Sequence, residues 1–143
     1  MKTPITACLL ALTLAACSTT PPNQQTTPTG QVPLARIYIK SMTAQMPDLA
    51  EVQFSRESGF FIGSSPEELA INDVVLAEIW EGERLSIWLK PGTSYTFSVK
   101  PMRSLNTNYT IPPATLTLDL KAPSVYKVRI GFDKKGLTLQ SQN

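Results

Sequence analysis

The feature that most constrains the fold is a series of short stretches, from residue 34 onwards, in which apolar and polar side chains alternate. In residues 84–89, Leu85, Ile87 and Leu89 fall on one face of an extended chain and the intervening side chains fall on the other. A period of two residues predicts a half-buried β-strand, whereas an amphipathic helix has a period of 3.6 residues. Because no long stretch of the chain has the helical period, the sequence predicts an all-β domain.

Turn residues separate the alternating stretches at regular intervals. Similar alternation is found in residues 95–100, 115–120, 126–132 and 137–139, and the largely apolar residues 74–80 are predicted to form a further strand. Pro91 and Gly92 are the residues that a type II turn favours at its two central positions. About eight short strands at this spacing, each apolar on one face, predict an antiparallel β-sandwich of about seven to eight strands over residues 34–143.

The segments before residue 74 are less regular. Residues 34–40 alternate, with Ala35, Ile37 and Ile39 on one face, and are predicted to form the opening strand. Residues 43–58 are mixed, and residues 46–51 fit either a loop or one helical turn. Residues 59–63 form a short apolar run between glycines and are predicted to be a strand.

Residues 64–69 have the pattern of a helix start. Ser65 suits the capping position, Pro66 suits the first helical position, and two glutamates follow in the first turn. The pattern predicts a single helical turn here.

The N-terminus has the order of a secretory signal. Lys2 supplies a positive charge, residues 5–16 are almost entirely apolar, and small residues precede Cys17. The apolar stretch is too short to cross a bilayer as a helix, which takes about 20 residues. We therefore predict that residues 1–16 are a cleaved signal peptide.

The residues Leu14-Ala15-Ala16-Cys17 resemble the lipobox of bacterial lipoproteins. The resemblance implies that the Cys17 sulfur receives a diacylglycerol, that the chain is cut before Cys17, and that the new amino group is acylated, commonly with palmitate. Two or three acyl chains hold a protein on a bilayer almost irreversibly. The alternative is an ordinary cleaved signal in which Cys17 is incidental.

Both cysteines are accounted for by this interpretation, because Cys8 leaves with the signal and Cys17 carries the lipid. No disulfide is then expected in the domain. Ser18 stands where an aspartate usually retains Gram-negative lipoproteins in the inner membrane. The resemblance therefore implies an anchor in the outer membrane, with the domain facing the periplasm.

Residues 17–33 are predicted to be the lipidated cysteine and a flexible tether. After Cys17 this segment has no charge, four prolines and one sizeable apolar side chain, Val32. Such a composition cannot bury enough surface to offset the entropy of ordering the chain. Its prolines favour an extended conformation with a reach on the order of 50 Å.

Composition excludes several classes of function. The chain has 13 Lys and Arg against 11 Asp and Glu, and no histidine. The near-neutral charge gives no footprint for nucleic acid. The lack of histidine removes the commonest general base and the commonest zinc ligand. We expect no enzymatic activity, no metal and no cofactor.

Four segments together resemble a family of small bacterial lipoproteins with a PEGA-like or transthyretin-like β-sandwich. They are residues 35–39 (ARIYI), 71–75 (INDVV), 89–95 (LKPGTSY) and 126–130 (YKVRI). Where such domains often have Asn-Gly at the central turn, this chain has Asn72-Asp73. The resemblance implies a β-sandwich and supplies no catalytic residue.

Three aromatic residues are candidates for an interaction surface. Trp88 alternates with the apolar positions of its strand and is predicted to face outwards, Trp80 flanks the same hairpin, and Tyr38 lies opposite Ile37. Tryptophan is enriched at binding hot spots. The alternative is that a loop or the segment 43–58 covers these rings.

A group of carboxylates, Glu78, Glu81 and Glu83, surrounds the turn beside Trp80. Paired carboxylates serve acid–base chemistry only when burial raises one pKa. Carboxylates at the tip of a hairpin are usually solvated, so we expect no catalysis here.

These observations favour a lipid-anchored envelope protein with a structural or protein-interaction role. A glycan- or small-ligand-binding module is the main alternative, and an accessory lipoprotein of a secretion or envelope machine is a more specific version of the first. An aromatic groove favours the ligand-binding hypothesis, whereas a flat apolar patch favours the interaction hypothesis.

Overall fold

The computed structural model describes residues 30–58, 65–102 and 111–142. Two 3₁₀ turns, Leu34–Arg36 and Lys40–Thr43, precede the strands. The strands in the described ranges are β1 (Ala50–Arg56), β2 (Glu67–Ile71), β3 (Val74–Ile79), β4 (Arg84–Leu89), β5 (Thr93–Pro101), β6 (Ala114–Leu120), β7 (Val125–Asp133) and β8 (Gly136–Ser141).

The eight strands form two four-stranded sheets. Sheet A has the order β4-β1-β7-β8 and sheet B has the order β3-β2-β5-β6. Neighbouring strands are antiparallel except β1 and β7, which are parallel. The two sheets pack face to face, so the predicted antiparallel β-sandwich of about seven to eight strands is confirmed, with β1 and β7 as the one parallel pair among the described strands.

The core lies between the inner faces of the two sheets. Phe54 of β1 packs edge to face against Phe97 of β5, with 5.1 Å between the ring centroids and 68° between the ring planes. Such a pair adds about 0.5–1.5 kcal/mol to the gain from burial. Alternate residues of the strands supply the other fully buried side chains, which include Val52, Leu69, Leu76, Ile79, Ile87, Val99, Leu120, Val128 and Ile130.

The strands predicted from residue 74 onwards are confirmed. In β4 the buried residues are Leu85, Ile87 and Leu89, as the alternation predicted. The β2–β3 hairpin turns through Asn72 and Asp73, whose φ angles of 47° and 65° are those of a type I′ turn. Asparagine and aspartate tolerate this left-handed conformation better than other non-glycine residues.

Residues 30–43, here called the N-terminal strap, join the edges of the two sheets. At the β4 edge, the Val32 amide donates to the Arg84 carbonyl at 2.9 Å, and Gln31 forms a parallel bridge with Arg84. At the β3 edge, the Tyr38 amide donates to the Leu76 carbonyl at 2.8 Å. Val32 and Ile37 are both buried in the core cluster, so the strap closes this side of the sandwich.

The predicted strand over residues 34–40 is wrong. The chain here crosses from one sheet edge to the other, so it cannot pair along its length with either sheet. Ile37 alone makes a bridge, to Ala77, and the Arg36 amide bonds locally to the Pro33 carbonyl at 2.9 Å. Ala35, predicted to face the core, is exposed.

The structure also places residues 30–33 in the folded domain rather than in the tether. Val32 is 6% exposed, and the Gly30 carbonyl accepts from the Arg84 amide at 2.6 Å. The single apolar side chain of the predicted tether therefore belongs to the core.

Two strands occupy segments for which the sequence predicted other structure. Residues 50–56, in the mixed segment 43–58 whose part 46–51 was predicted as a loop or one helical turn, form β1 at the centre of sheet A. The predicted helical turn after Ser65 is wrong, because β2 begins at Glu67. The predicted strand over residues 59–63 lies outside the described residues.

A tyrosine fixes the corner where the chain passes from sheet B to sheet A. The Tyr126 hydroxyl, near the start of β7, accepts from the Lys121 amide at 3.0 Å. A hydroxyl bonded to the backbone a few residues upstream is the arrangement of a tyrosine corner, which secures such connections in β-sandwiches.

Candidate functional site

Tyr38 and Trp80, two of the three predicted surface aromatics, lie at the edge where the N-terminal strap meets β3. The Arg36 guanidinium lies over the Trp80 ring, 5.9 Å from its centroid. The same guanidinium bonds the Glu78 carbonyl at 3.2 Å and forms a two-pronged ion pair with Glu83. Arg36 therefore holds the strap to the end of β3 and to the turn that follows.

Tyr38 and Trp80 each have a carboxylate partner. The Tyr38 hydroxyl donates to Glu78 Oε1, and this hydrogen bond raises the pKa of the tyrosine. The Trp80 amide donates to Glu83 Oε2 at 2.8 Å. Glu78 and Glu83, two of the three glutamates predicted around this turn, thus serve as acceptors that fix the strap.

Tyr38 is 56% exposed and Trp80 is 40% exposed. Both rings therefore keep a large part of their surface in solvent, while the Tyr38 hydroxyl is held by Glu78 and the Trp80 ring lies against the Arg36 guanidinium. Aromatic rings fixed in this way make a pre-ordered contact surface that loses little entropy on binding.

Trp88 lies elsewhere, on the outer face of sheet A. It stands in β4 opposite Glu51 of β1, and its side chain is half-buried. The predicted outward orientation agrees with the burial of its two neighbours, Ile87 and Leu89. The structure thus brings Tyr38 and Trp80 together and leaves Trp88 on a different surface.

The outer face of sheet A carries a polar cavity that sequence reasoning missed. It has a volume of about 380 Å³. The strand register explains it, because Gln53 of β1 pairs with Ser86 of β4 on one side and with Lys127 of β7 on the other. The lining residues are Gln31, Gln53, Phe54, Ser55, Arg84, Ser86, Lys127 and Gln142.

A second depression of about 610 Å³ adjoins this cavity and shares Ser55, Arg84 and Gln142 with it. Here Arg129 lies between two partners: it pairs with Glu57 at 3.0 Å and donates to Gln140 Oε1 at 2.9 Å. The two depressions form one polar trough across β4, β1 and β7.

A buried ion pair lies between the two sheets beside this trough. Arg56 of β1 donates to the Ser65 and Ile79 carbonyls at 3.0 and 2.8 Å, and its guanidinium lies 3.2 Å from Glu67 Oε1 of β2. Both residues are less than a tenth exposed. Glu67 Oε2 has no hydrogen-bond partner among the described residues.

Burial raises the pKa of the Glu67 carboxyl, and the Arg56 charge offsets only part of this shift. The Arg56 guanidinium is satisfied by Glu67 Oε1 and two carbonyls, which is the arrangement that a buried arginine needs, while Glu67 Oε2 stays without a partner among the described residues. We assign this pair a structural role, because it links β1 of one sheet to β2 of the other.

Cys17, the predicted site of lipid attachment, lies outside the described residues. Among the residues that are described, no helix is long and apolar enough to cross a membrane.

No protein-family model matches this chain, and no curated protein matches it. Among solved structures, the NMR structure of a protein from Eubacterium rectale is similar to it, with a TM-score of 0.46 and 9% sequence identity. The similarity covers 70% of this chain and 95% of that chain.

Proposed function

We propose that this chain is a lipoprotein of the bacterial envelope, anchored by acyl chains on Cys17, that presents a β-sandwich for binding rather than catalysis. The observation that carries the proposal is the sequence Leu14-Ala15-Ala16-Cys17 directly after a short apolar stretch. The segment resembles the lipobox of bacterial lipoproteins. In that family the processing enzymes recognise small residues before a cysteine at this distance from the N-terminus.

The structure supports the proposal through the place at which the chain enters the domain. Gly30 and Gln31 are already bonded to the β4 edge, so the anchor and the domain are separated by residues 18–29. In an extended proline-rich conformation such a segment spans roughly 40 Å. The sandwich then lies near the membrane. The tether joins it at the β4 edge, beside the end of the trough that contains Gln31.

The surface of the domain supports binding as its role. Tyr38 and Trp80 are exposed and are held by Glu78 and Arg36 respectively, and the trough on sheet A is lined by polar side chains. The first surface suits an envelope protein partner, because ordered aromatic rings are frequent at the centres of protein interfaces. The second suits a small polar ligand.

Fractionation of the cell envelope tests the location of the anchor. After a high-salt wash, the wild-type protein is expected to sediment with the outer membrane on a density gradient. Ser18→Asp is expected to move it to the inner membrane, because an aspartate at that position retains lipoproteins there. The substitution lies in the tether and leaves the domain unchanged, so circular dichroism of the purified variant serves as the control.

Two results would contradict the proposal. One is release of the wild-type protein by salt alone, since acyl chains in a bilayer do not respond to ionic strength. The other is identical inner-membrane sedimentation of both proteins, which would overturn the outer-membrane location.

A further inference from the structure

We propose that the trough on the outer face of sheet A binds an acidic saccharide, a ligand that carries carboxylates on hydroxyl-rich sugar units. This inference rests on the proposed role of the domain in binding, and it does not require the lipid on Cys17. The shape, the charge and the hydrogen-bonding groups of the trough indicate the class of ligand.

The shape follows from the side chains on three adjacent strands. Ser55 of β1 pairs with Arg84 of β4 on one side and with Arg129 of β7 on the other. Neighbouring strands lie about 4.8 Å apart, so the two arginines flank the short serine across roughly 10 Å. Long side chains on both sides of a short one leave an elongated hollow, which suits a chain of linked units better than a compact ion.

The charge of the 380 Å³ cavity is positive. Arg84 and Lys127 line it, and no carboxylate is among its lining residues. The Arg84 side chain is exposed and has no ion pair within the described residues, and the bonds of Arg84 to Gly30 and Val32 are made by backbone atoms. A guanidinium presents a planar fork that matches a carboxylate in a two-pronged geometry.

The neutral groups of the cavity suit hydroxyls. Three amide side chains and two hydroxyl side chains line it, and each can both donate and accept a hydrogen bond. They are Gln31, Gln53, Gln142, Ser55 and Ser86. A ligand with many hydroxyls satisfies such a set, whereas an inorganic anion uses only the cations.

A flat anionic membrane surface fits this face less well. Glu51 stands on the same face beside Gln53, whose amide donates to it at 3.0 Å, and Glu57 pairs with Arg129. These carboxylates repel a continuous sheet of anionic headgroups, while a saccharide lying in the 380 Å³ cavity avoids both, because neither carboxylate lines it. Trp88 pairs with Glu51, one position along the same face from the Gln53–Ser86 pair. Trp88 does not line the cavity.

Calorimetric titration tests the proposal with residues 17–143 carrying Cys17→Ser as the reference protein. The probe is trigalacturonate, an oligomer of three carboxylated sugars, and its neutral methyl ester is the comparison ligand. The reference protein is expected to bind trigalacturonate, and Arg84→Gln is expected to weaken binding at least about tenfold, the effect of losing one strong charged contact. The methyl ester is expected to bind at least about tenfold more weakly than the acid.

Lys135→Gln is the matched control, because it also removes one positive charge but lies at the tip of the β7–β8 hairpin. It is expected to change the affinity by less than about twofold, a shift that screened surface charges do not exceed. Equal weakening by Lys135→Gln and Arg84→Gln would overturn the proposal, since it would show attraction by net charge alone. Equal binding of the acid and its ester would overturn it as well.

Sedimentation with vesicles of phosphatidylglycerol separates a saccharide from a lipid headgroup. Vesicle binding that needs Arg84, without binding of trigalacturonate, would overturn the saccharide assignment in favour of a headgroup. Binding of neither probe would also overturn it. Because the reference protein has no lipid, binding of trigalacturonate would support this inference even if wild-type protein were found without acyl chains.

Discussion

Replacing Arg56 by methionine is expected to lower the free energy of unfolding by about 3–5 kcal/mol, the usual effect of leaving one partner of a buried ion pair alone. Arg56 is the sole cation within 4.0 Å of Glu67 among the described residues, and it also satisfies the Ser65 and Ile79 carbonyls. Methionine fills similar space but restores none of these contacts. Chemical denaturation at pH 7 measures the loss.

The dependence of this loss on pH follows from the pKa of Glu67. The folded-state pKa is raised above its ordinary value of 4.5, so the ionised carboxylate is costly to bury at neutral pH. Without Arg56 the pKa rises further, and protonation on acidification relieves the variant more than the wild type. The difference in stability is therefore expected to be largest near pH 7 and to shrink as the pH falls towards 4.5.

The double variant Arg56→Met and Glu67→Leu is the control for this prediction. It removes both charges, so it is expected to recover most of the stability that the single variant loses. A double variant no more stable than Arg56→Met would show that the loss comes from packing around Arg56 and would contradict the account of a charge left unpaired.

Ile37→Ala is expected to cost about 2–5 kcal/mol, the range for truncating a buried large aliphatic side chain. Ile37 is 3% exposed, belongs to the core cluster and bridges to Ala77 at the β3 edge. Truncation leaves a cavity beneath the N-terminal strap and weakens the closure of the sandwich. Thermal or denaturant unfolding of residues 17–143 measures the effect.

Leu34→Ala is the matched control in the same strap, because Leu34 is 55% exposed. It is expected to change stability by less than about 0.5 kcal/mol. Equal small effects of both substitutions would mean that the strap is a continuation of the tether and does not contribute to the core.

The second half of the fold was predictable because its strands follow local rules. In β4, Leu85, Ile87 and Leu89 alternate without interruption between two turns, so side-chain period alone determines the assignment. Alternation of this kind requires only that one face be buried, and both sheets of a sandwich meet that requirement.

The first half was not predictable because long-range contacts decide it. β1 contains the alternation Ala50, Val52, Phe54, but the next inward position is Arg56, whose charge favours solvent and interrupts the apolar pattern. Arg56 can be buried there because Glu67 forms an ion pair with it. The sequence does not indicate that these two side chains are in contact. A long-range contact also explains the wrong helix prediction after Ser65. Pro66 and the two glutamates match the first turn of a helix, but Glu67 faces inwards and pairs with Arg56.

The candidate sites were predictable only in part. Tyr38 and Trp80 stood out as surface aromatics, and the structure adds that Arg36, Glu78 and Glu83 hold them. The trough on sheet A depends on the pairing of β1 with β7, two strands far apart in sequence. Nothing local specifies that register, so Arg84 and Lys127 could not be placed on one surface beforehand.

Metabolic labelling with a fatty-acid analogue tests most directly the central claim that this sandwich is held at a membrane by lipid on Cys17. Wild-type protein and Cys8→Ser are expected to carry the label, because Cys8 lies in the segment that we propose is removed as a signal peptide. Cys17→Ser is expected to carry none. Equal labelling of Cys17→Ser and wild type, or no label on wild type, would contradict the claim.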